Sequence, residues 1–174
     1  TERPMLRSQD ASAQKEAYSD KKHQHSVKNT VISSVRRQIL FLGYTVCGSR
    51  HDYGLFKSEF PPATDLPPAT DWFAQFKVWV DLGYLGFAKD YKTLELHIPH
   101  KKPRKSKSNP TPSLSDQQKL ENREISQVRI VVEHVLANVK RWSILINKFR
   151  NRLHKFEDNV ILAAAGLHNF LLNL

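Results

Sequence analysis

The sequence is poor in cysteine, in long apolar runs and in acidic residues. Its single cysteine, Cys47, excludes an internal disulfide, so nothing here depends on an oxidising compartment. No stretch approaches the roughly 20 consecutive apolar residues of a membrane-spanning helix, and we expect no secretory leader. These absences favour a soluble intracellular protein without a membrane partner.

Several motifs that carry chemistry are also missing. The chain has no Gly-rich phosphate loop, and no four Cys and His residues have the spacing of a structural zinc site. Cys47 and His51 have a spacing that a metal could use but do not supply four ligands, and a Cys–His nucleophile pair would need a third orienting group that we do not identify. Phosphate-loop, zinc and cysteine-nucleophile chemistry are therefore disfavoured.

Positive charge is what the sequence has in excess. Its 174 residues include 27 Lys+Arg against 17 Asp+Glu, a formal net charge of +10. This length is enough for one domain with a buried core. The charge predicts attraction to polyanions such as nucleic acid, although a merely basic or ribosome-like surface has the same composition.

The apolar patterns predict strands first and helices later. Residues 24–34 and 38–46 are rich in β-branched and aromatic side chains, and the short basic link between them predicts an antiparallel hairpin. Residues 48–60 suit a short helix, and residues 75–80 and 94–98 are two further strand candidates. The predicted fold class is α/β, with a mixed sheet flanked by helices.

Two long helices are predicted in the second half. One begins at Ser115, and a second spans residues 157–171 with Val160, Ala164, Leu167 and Leu171 on one side. In the first, apolar residues recur every three or four positions, which is the helical period. These positions are Ile125, Val128, Val132, Val135, Leu136 and Val139.

Two loops stand out by composition. Residues 61–71 contain PPATD twice, and the repeated prolines predict a duplicated surface loop. Residues 99–114 form a basic loop, and a second basic stretch spans residues 148–155. Their cations are interpreted as phosphate contacts: Lys101, Lys102, Arg104, Lys105, Lys107, Arg150 and Arg152.

Two carboxylates are candidate catalytic residues. Asp81 follows an apolar strand, where open α/β sheets often place functional groups, although a simple turn residue is an equal alternative. Glu133 shares a polar helical stripe with Arg129 and Lys140, a pattern that a salt-bridged solvent face also produces. Carboxylates on two separate elements are suitable ligands for divalent metal ions.

Ordered motifs along the whole chain resemble those of DDE-type transposases of bacterial insertion sequences, in the branch related to Harbinger elements. The strongest are Arg129-x3-Glu133-x6-Lys140, Asp81-Leu-Gly-Tyr84 and the opening Thr-Glu-Arg-Pro. Further matching motifs lie at residues 18–29, 48–52, 99–104 and 166–170.

The resemblance implies a ribonuclease H-like domain over residues 1–174, in which three acidic residues hold two Mg²⁺ or Mn²⁺ ions that cut and join DNA. Asp81 corresponds to the second catalytic Asp and Glu133 to the catalytic Glu, both as metal ligands, with Asp52 as the lower-ranked alternative. Arg129 and Lys140 correspond to basic positions expected to contact DNA. The implied partners are transposon ends and target DNA, bound by a homodimer in the cytoplasm at the nucleoid.

Two departures from the family pattern qualify these expectations. Ser126 stands where the helical signature usually has Tyr. The sequence also begins at Thr1, two residues after the family's first catalytic Asp, so we expect an incomplete first strand and an inactive chain on its own. Glu2 would point to the opposite face of that strand and is a poor substitute. The alternative function is a catalytically inactive transposase remnant that only binds DNA.

Overall fold

The computed structural model describes residues 1–62, 71–107, 110–151, 153 and 155–174. They divide into two compact units, of which the first comprises Thr1–Glu59 with Val131–Leu174 and the second comprises Phe60–Ile130. A long helix, α4 (Asp116–Lys140), contributes its first part to the second unit and its last part to the first. Each unit is built around its own buried side chains.

In the first unit, six strands form two small sheets. They are β1 (Glu2–Pro4), β2 (Tyr18–Ser19), β3 (Gln24–Lys28), β4 (Val31–Ser33), β5 (Ile39–Leu42) and β6 (Val46–Cys47). Strand β3 pairs antiparallel with β1, β2 and β6, and β4 pairs antiparallel with β5. The predicted hairpin is thus confirmed as β4–β5.

The prediction of one continuous strand over residues 24–34 is wrong. Asn29 and Thr30 separate β3 from β4, and the two strands belong to different sheets. The buried carboxamide of Asn29 donates to the backbone oxygen of Gly43 at 2.9 Å and to Thr45 Oγ1 at 2.9 Å. These contacts hold the chain in a turn that an apolar alternation cannot reveal.

Helices α1 (Ala11–Ala17), α2 (Asp52–Glu59), α5 (Ser143–Ile146) and α6 (Phe156–Leu171) complete the first unit. Its core contains side chains from the end of α4, from α5 and α6, and from the hairpin, and burial of this apolar area is the main stabilising contribution. The core residues are Ile39, Val135, Val139, Leu145, Ile161, Ala164 and Ala165. The predicted helical period of α4 is confirmed.

The predicted inner face of α6 is only partly right. Ala164 is buried, but Leu167 and Leu171 are 47% and 53% exposed. His168 is buried instead, and its Nε2 lies 2.8 Å from the backbone oxygen of Arg37. Because α6 carries apolar residues on nearly every side, its period does not distinguish the buried face.

The second unit contains β7 (Lys77–Trp79), β8 (Glu95–His97), α3 (Phe87–Asp90) and the start of α4. Both strands were predicted, somewhat longer, and they pair in parallel. A cluster of aromatic rings lies beside them, with centroids 4.7–5.5 Å apart. The cluster comprises Phe60, Phe73, Phe87 and Tyr91.

The mixed α/β class is confirmed, but the described strands form one four-stranded and two two-stranded sheets instead of one mixed sheet. The ribonuclease H-like arrangement stays a prediction. Most of the predicted duplicated loop, residues 63–70, lies outside the described residues. No helix in the described part of the chain is long and apolar enough to cross a membrane.

Candidate functional site

Asp81 lies where β7 has ended. The preceding Val80 still donates its backbone N–H to the His97 carbonyl at 3.1 Å, and Asp81 then caps a short 3₁₀ helix, Leu82–Tyr84. Its Oδ1 accepts the backbone N–H of Leu82 at 2.7 Å, as a capping carboxylate commonly does. With a side chain that is 59% exposed, Asp81 combines the predicted strand-end position with a capping role.

The Asp81 carboxylate also has a cationic partner. Arg129 Nη2 on α4 lies 3.3 Å from Asp81 Oδ1, so the Arg129 guanidinium neutralises the carboxylate in this structure. The sequence instead predicts Arg129 as a phosphate contact. Exposed pairs contribute only about 0–1 kcal/mol, and this pair is partly exposed, with 26% of the Arg129 side chain accessible to solvent.

Glu133 lies one helical turn beyond Arg129. Its side chain is exposed and makes no hydrogen bond or ion pair with another residue that the structure describes. Asp81 belongs to the second unit and Glu133 to the first.

Lys140 is held inside the first unit. Its half-buried ammonium donates to the backbone oxygen of Glu2 in β1 at 2.8 Å. Burial, followed by repulsion from Lys22, lowers the Lys140 pKa from its ordinary value. The Glu2 carboxylate is engaged separately, by Ser26 Oγ at 2.5 Å. Lys140 therefore fixes β1 to α4, a contact that the sequence prediction of a DNA-contacting lysine did not include.

The described residues do not form a metal centre by themselves. No three His, Cys, Asp or Glu side chains among them lie together in a way that could hold a metal ion. Asp81 is paired with Arg129, and Asp52, the first residue of α2, accepts from Lys28 Nζ at 3.0 Å. Asp81 and Asp52 thus each have a cationic partner within their own unit.

The two predicted basic regions differ in their surroundings. The five cations of residues 101–107 are exposed, and none forms an ion pair with another described residue. Arg150 is exposed and lines a cavity of about 430 Å³ together with Met5, Arg7 and Phe149. Arg152 lies outside the described residues.

We did not predict from the sequence that His100, at the start of the basic loop, is held by residues of α4. Asn122 on α4 bonds both backbone polar groups of His100, and His100 Nε2 lies 2.5 Å from Glu121 Oε2. At the other end, Ser115 and Gln118 form reciprocal side chain to backbone bonds of 3.2 and 3.0 Å. These Ser115 bonds confirm the helix start predicted there, and the Ser-x-x-Gln spacing is a capping-box signature. No local sequence pattern indicates the contact between Asn122 and His100.

Comparison with known proteins identifies the class to which these motifs belong. The family described as DDE superfamily endonuclease matches residues 1–169, and the chain belongs to this family. The chain is 37% identical over 177 residues to the probable transposase for insertion sequence element IS702 of Microchaete diplosiphon. The alignment covers all of this chain and 56% of that relative, so the chain spans little more than half the relative's length. No solved structure matches the chain.

Proposed function

We propose that the chain is part of the catalytic domain of a DNA transposase and contributes to metal-dependent cleavage and transfer of DNA strands. The observation that carries this proposal is the family match over residues 1–169, which includes the Asp81 and Glu133 motifs. The similarity to a probable insertion-sequence transposase supports the same function.

Asp81 and Glu133 are the proposed catalytic carboxylates, and Mg²⁺ or Mn²⁺, in a two-ion site, is the proposed cofactor. The family implies dependence on a divalent ion, and carboxylate oxygens are the ligands that these ions prefer. Arg129 is paired with Asp81 Oδ1, so an ion that binds this oxygen would compete with the guanidinium. Asp52 is the second choice for the aspartate ligand.

DNA is the proposed partner, bound as transposon end and as target by a homodimer. The exposed cations of residues 101–107 and Arg150 support phosphate binding, with Arg152 as a further candidate. Arg129 would contact a phosphate after leaving Asp81, whereas Lys140 would contribute by holding β1.

The test is nicking of a plasmid that carries the sequences flanking the coding region, with Mg²⁺, Mn²⁺ or a chelator, by a protein that carries an Asp two residues before Thr1, the position of the family's first catalytic Asp. We expect cleavage with either ion and none with chelator, and Asp81→Asn or Glu133→Gln should reduce the rate by at least about 100-fold. Matched controls are Asp71→Asn, which removes a carboxylate paired with Lys92, and Glu124→Gln on the exposed side of α4. Equal rates for Asp81→Asn and Asp71→Asn would reject Asp81.

The second candidate function is DNA binding without catalysis. It is favoured by the Asp81–Arg129 pair, in which the proposed metal ligand is bound to a cation. Tight DNA binding that is unaffected by chelator, with no nicking under any metal condition, would support this candidate over the first.

A further inference from the structure

The carboxamide of Asn122 holds the backbone of His100, the residue that precedes the cations of the basic loop. Asn122 Oδ1 accepts the backbone N–H of His100 at 2.6 Å, and Asn122 Nδ2 donates to the His100 carbonyl at 3.1 Å. The preceding Pro99 is buried. Asn122 thus satisfies both backbone polar groups of the last residue before the cations, which leaves His100 little freedom to rotate.

The side chain of His100 adds a second contact with α4. Its Nε2 lies 2.5 Å from Glu121 Oε2, and the other Glu121 oxygen accepts from Gln117 Nε2 at 2.9 Å. Glu121 is therefore occupied by neighbours on both oxygens. The Glu121 carboxylate is thus directed to His100 and Gln117 and not to the lysines that follow His100.

The loop returns to the same helix. Ser115 Oγ accepts the Gln118 backbone N–H at 3.2 Å, and Gln118 Oε1 accepts the Ser115 N–H at 3.0 Å. Both ends of the segment between His100 and Ser115 are consequently held at the first two turns of α4. A loop with fixed ends has fewer conformations to lose when it binds a ligand.

Residues 101–114 contain no acidic residue, and their five cations all lie within residues 101–107, which we call the basic segment. The basic segment is exposed and starts directly at the residue that Asn122 holds. Because one end of the basic segment is held, its side chains can reach fewer positions than those of a free segment. Several cations can therefore bind successive phosphates with a smaller loss of conformational entropy.

We propose that Asn122 is a positioning residue for DNA binding: its carboxamide holds His100 on α4 and thereby presents the cations of the basic segment to DNA phosphates as one set. The inference deepens the proposed function and rests on it. Asn122 itself contacts no phosphate. Its substitution affects how many phosphates are engaged at once, and not the charge of the chain.

The experiment measures the affinity of the chain for a short linear DNA duplex of mixed sequence at several salt concentrations. For Asn122→Ala we expect binding about five- to tenfold weaker and a salt slope smaller by about 1 to 2, because fewer cations bind together. Trypsin should also cleave the basic segment faster in this variant. The matched control is Gln127→Ala, an exposed amide on the same helix, which should behave as wild type.

The salt slope separates positioning from general destabilisation. Partial unfolding lowers the fraction of competent protein but leaves the slope of the folded fraction unchanged. If Asn122→Ala does not fold, Asn122→Ser replaces it, since the short hydroxyl side chain adds no charge and cannot bond both backbone groups of His100 as the carboxamide does. That variant should give an intermediate loss of affinity and slope.

The triple variant Lys101→Gln, Lys102→Gln, Lys105→Gln tests the proposed function separately. If the slope of log affinity against log salt is the same for this triple variant as for wild type, the basic segment does not bind DNA. The part of the proposed function that assigns phosphate binding to these cations is then rejected. If the triple variant lowers the slope while Asn122→Ala and Asn122→Ser keep wild-type affinity and slope, the positioning inference alone is overturned.

Discussion

Asn29 joins three separated parts of the first unit through its side chain. Its Oδ1 accepts from buried Arg3 Nη2 at 2.9 Å, while its Nδ2 donates to Gly43 and Thr45. Burial lowers the Arg3 pKa, and the nearby carboxylates of Glu157 and Asp158 act in the opposite direction. A buried guanidinium is stable only with such partners, so Asn29 stabilises the charge as well as the turn.

We therefore expect Asn29→Ala to lower the free energy of unfolding by about 2–4 kcal/mol, because it removes hydrogen bonds from groups that stay buried. Chemical denaturation followed by circular dichroism measures the change. Asn159→Ala, an exposed asparagine of α6, is the matched control and should change stability by less than about 0.5 kcal/mol. Similar losses for the two variants would contradict the role of Asn29.

Tyr91 should make the stability of the second unit depend on pH in the alkaline range. Its hydroxyl donates to the Phe60 carbonyl at 2.5 Å, and burial, with a contribution from Asp90, raises the Tyr91 pKa to about 12. The unfolded chain loses this proton near pH 10, whereas the folded chain keeps it. Between about pH 10 and pH 12 the unfolded state therefore binds fewer protons, and stability falls as the pH rises.

Other groups titrate in the same range, so the prediction concerns the difference between wild type and Tyr91→Phe. Wild type should lose about 1 kcal/mol more stability than Tyr91→Phe between pH 9 and pH 12, after allowance for partial exposure to solvent. Urea denaturation at a series of pH values measures this difference. Parallel stability curves for the two proteins would show that Tyr91 ionises equally in both states.

Regular patterns in the sequence predict the longer elements but not the short ones. The period of Val128, Val132, Val135 and Val139 identifies α4 because a long amphipathic helix repeats its signal over several turns. β2 and β6 have two residues each, too few for an alternation to be recognised. α1 is small and polar, and its start depends on Asp10, whose Oδ1 accepts the Ala13 N–H at 2.8 Å.

In the candidate site too, local sequence patterns predict some features and not others. The strand-end position of Asp81 was predictable, because it follows from local sequence. The ion pair of Asp81 with Arg129, and the contact of Lys140 with β1, were not predictable, because they join residues distant in sequence through packing. The roles of Asp81 and Glu133 remain predictions from the family motifs.

Two glycines in the first unit should respond in opposite directions to alanine. At Gly48, next to β6, an added Cβ would lie 2.7 Å from the backbone oxygen of Ser26 in β3, and that backbone cannot move freely within the sheet. At Gly166, within α6, the added Cβ would have no described atom within 4 Å besides the adjacent residues and the backbone of its own helix. Alanine there only reduces the freedom of the unfolded chain.

Gly48→Ala should lower the free energy of unfolding by about 1–3 kcal/mol through overpacking. Gly166→Ala should raise it by about 0.5–1 kcal/mol, the usual gain for replacing a glycine within a helix. Thermal unfolding of the two variants beside wild type checks both signs. A stabilising Gly48→Ala would mean that β3 and the segment after β6 are less tightly packed than the structure indicates.

The chain has a net charge of +10, but its positive side chains differ in whether a carboxylate is paired with them. Lys77, Lys92 and Lys119 of the second unit form ion pairs with Glu95, Asp71 and Asp116, at 2.6, 3.6 and 2.8 Å. The lysines of the basic segment have no such described partner. Neutralisation of DNA phosphates by lysines releases condensed counterions, and a lysine that is already paired must first leave its carboxylate.

Charge-matched variants separate net charge from this local arrangement. Lys101→Gln, Lys102→Gln, Lys105→Gln in one protein and Lys77→Gln, Lys92→Gln, Lys119→Gln in another each remove three positive charges. The first set should lower the slope of log affinity against log salt by about 2.7, at about 0.9 for each phosphate contact, and the second by less than about 1. Equal changes in slope would mean that DNA responds to the net charge of the chain, and that the basic segment has no special part in binding.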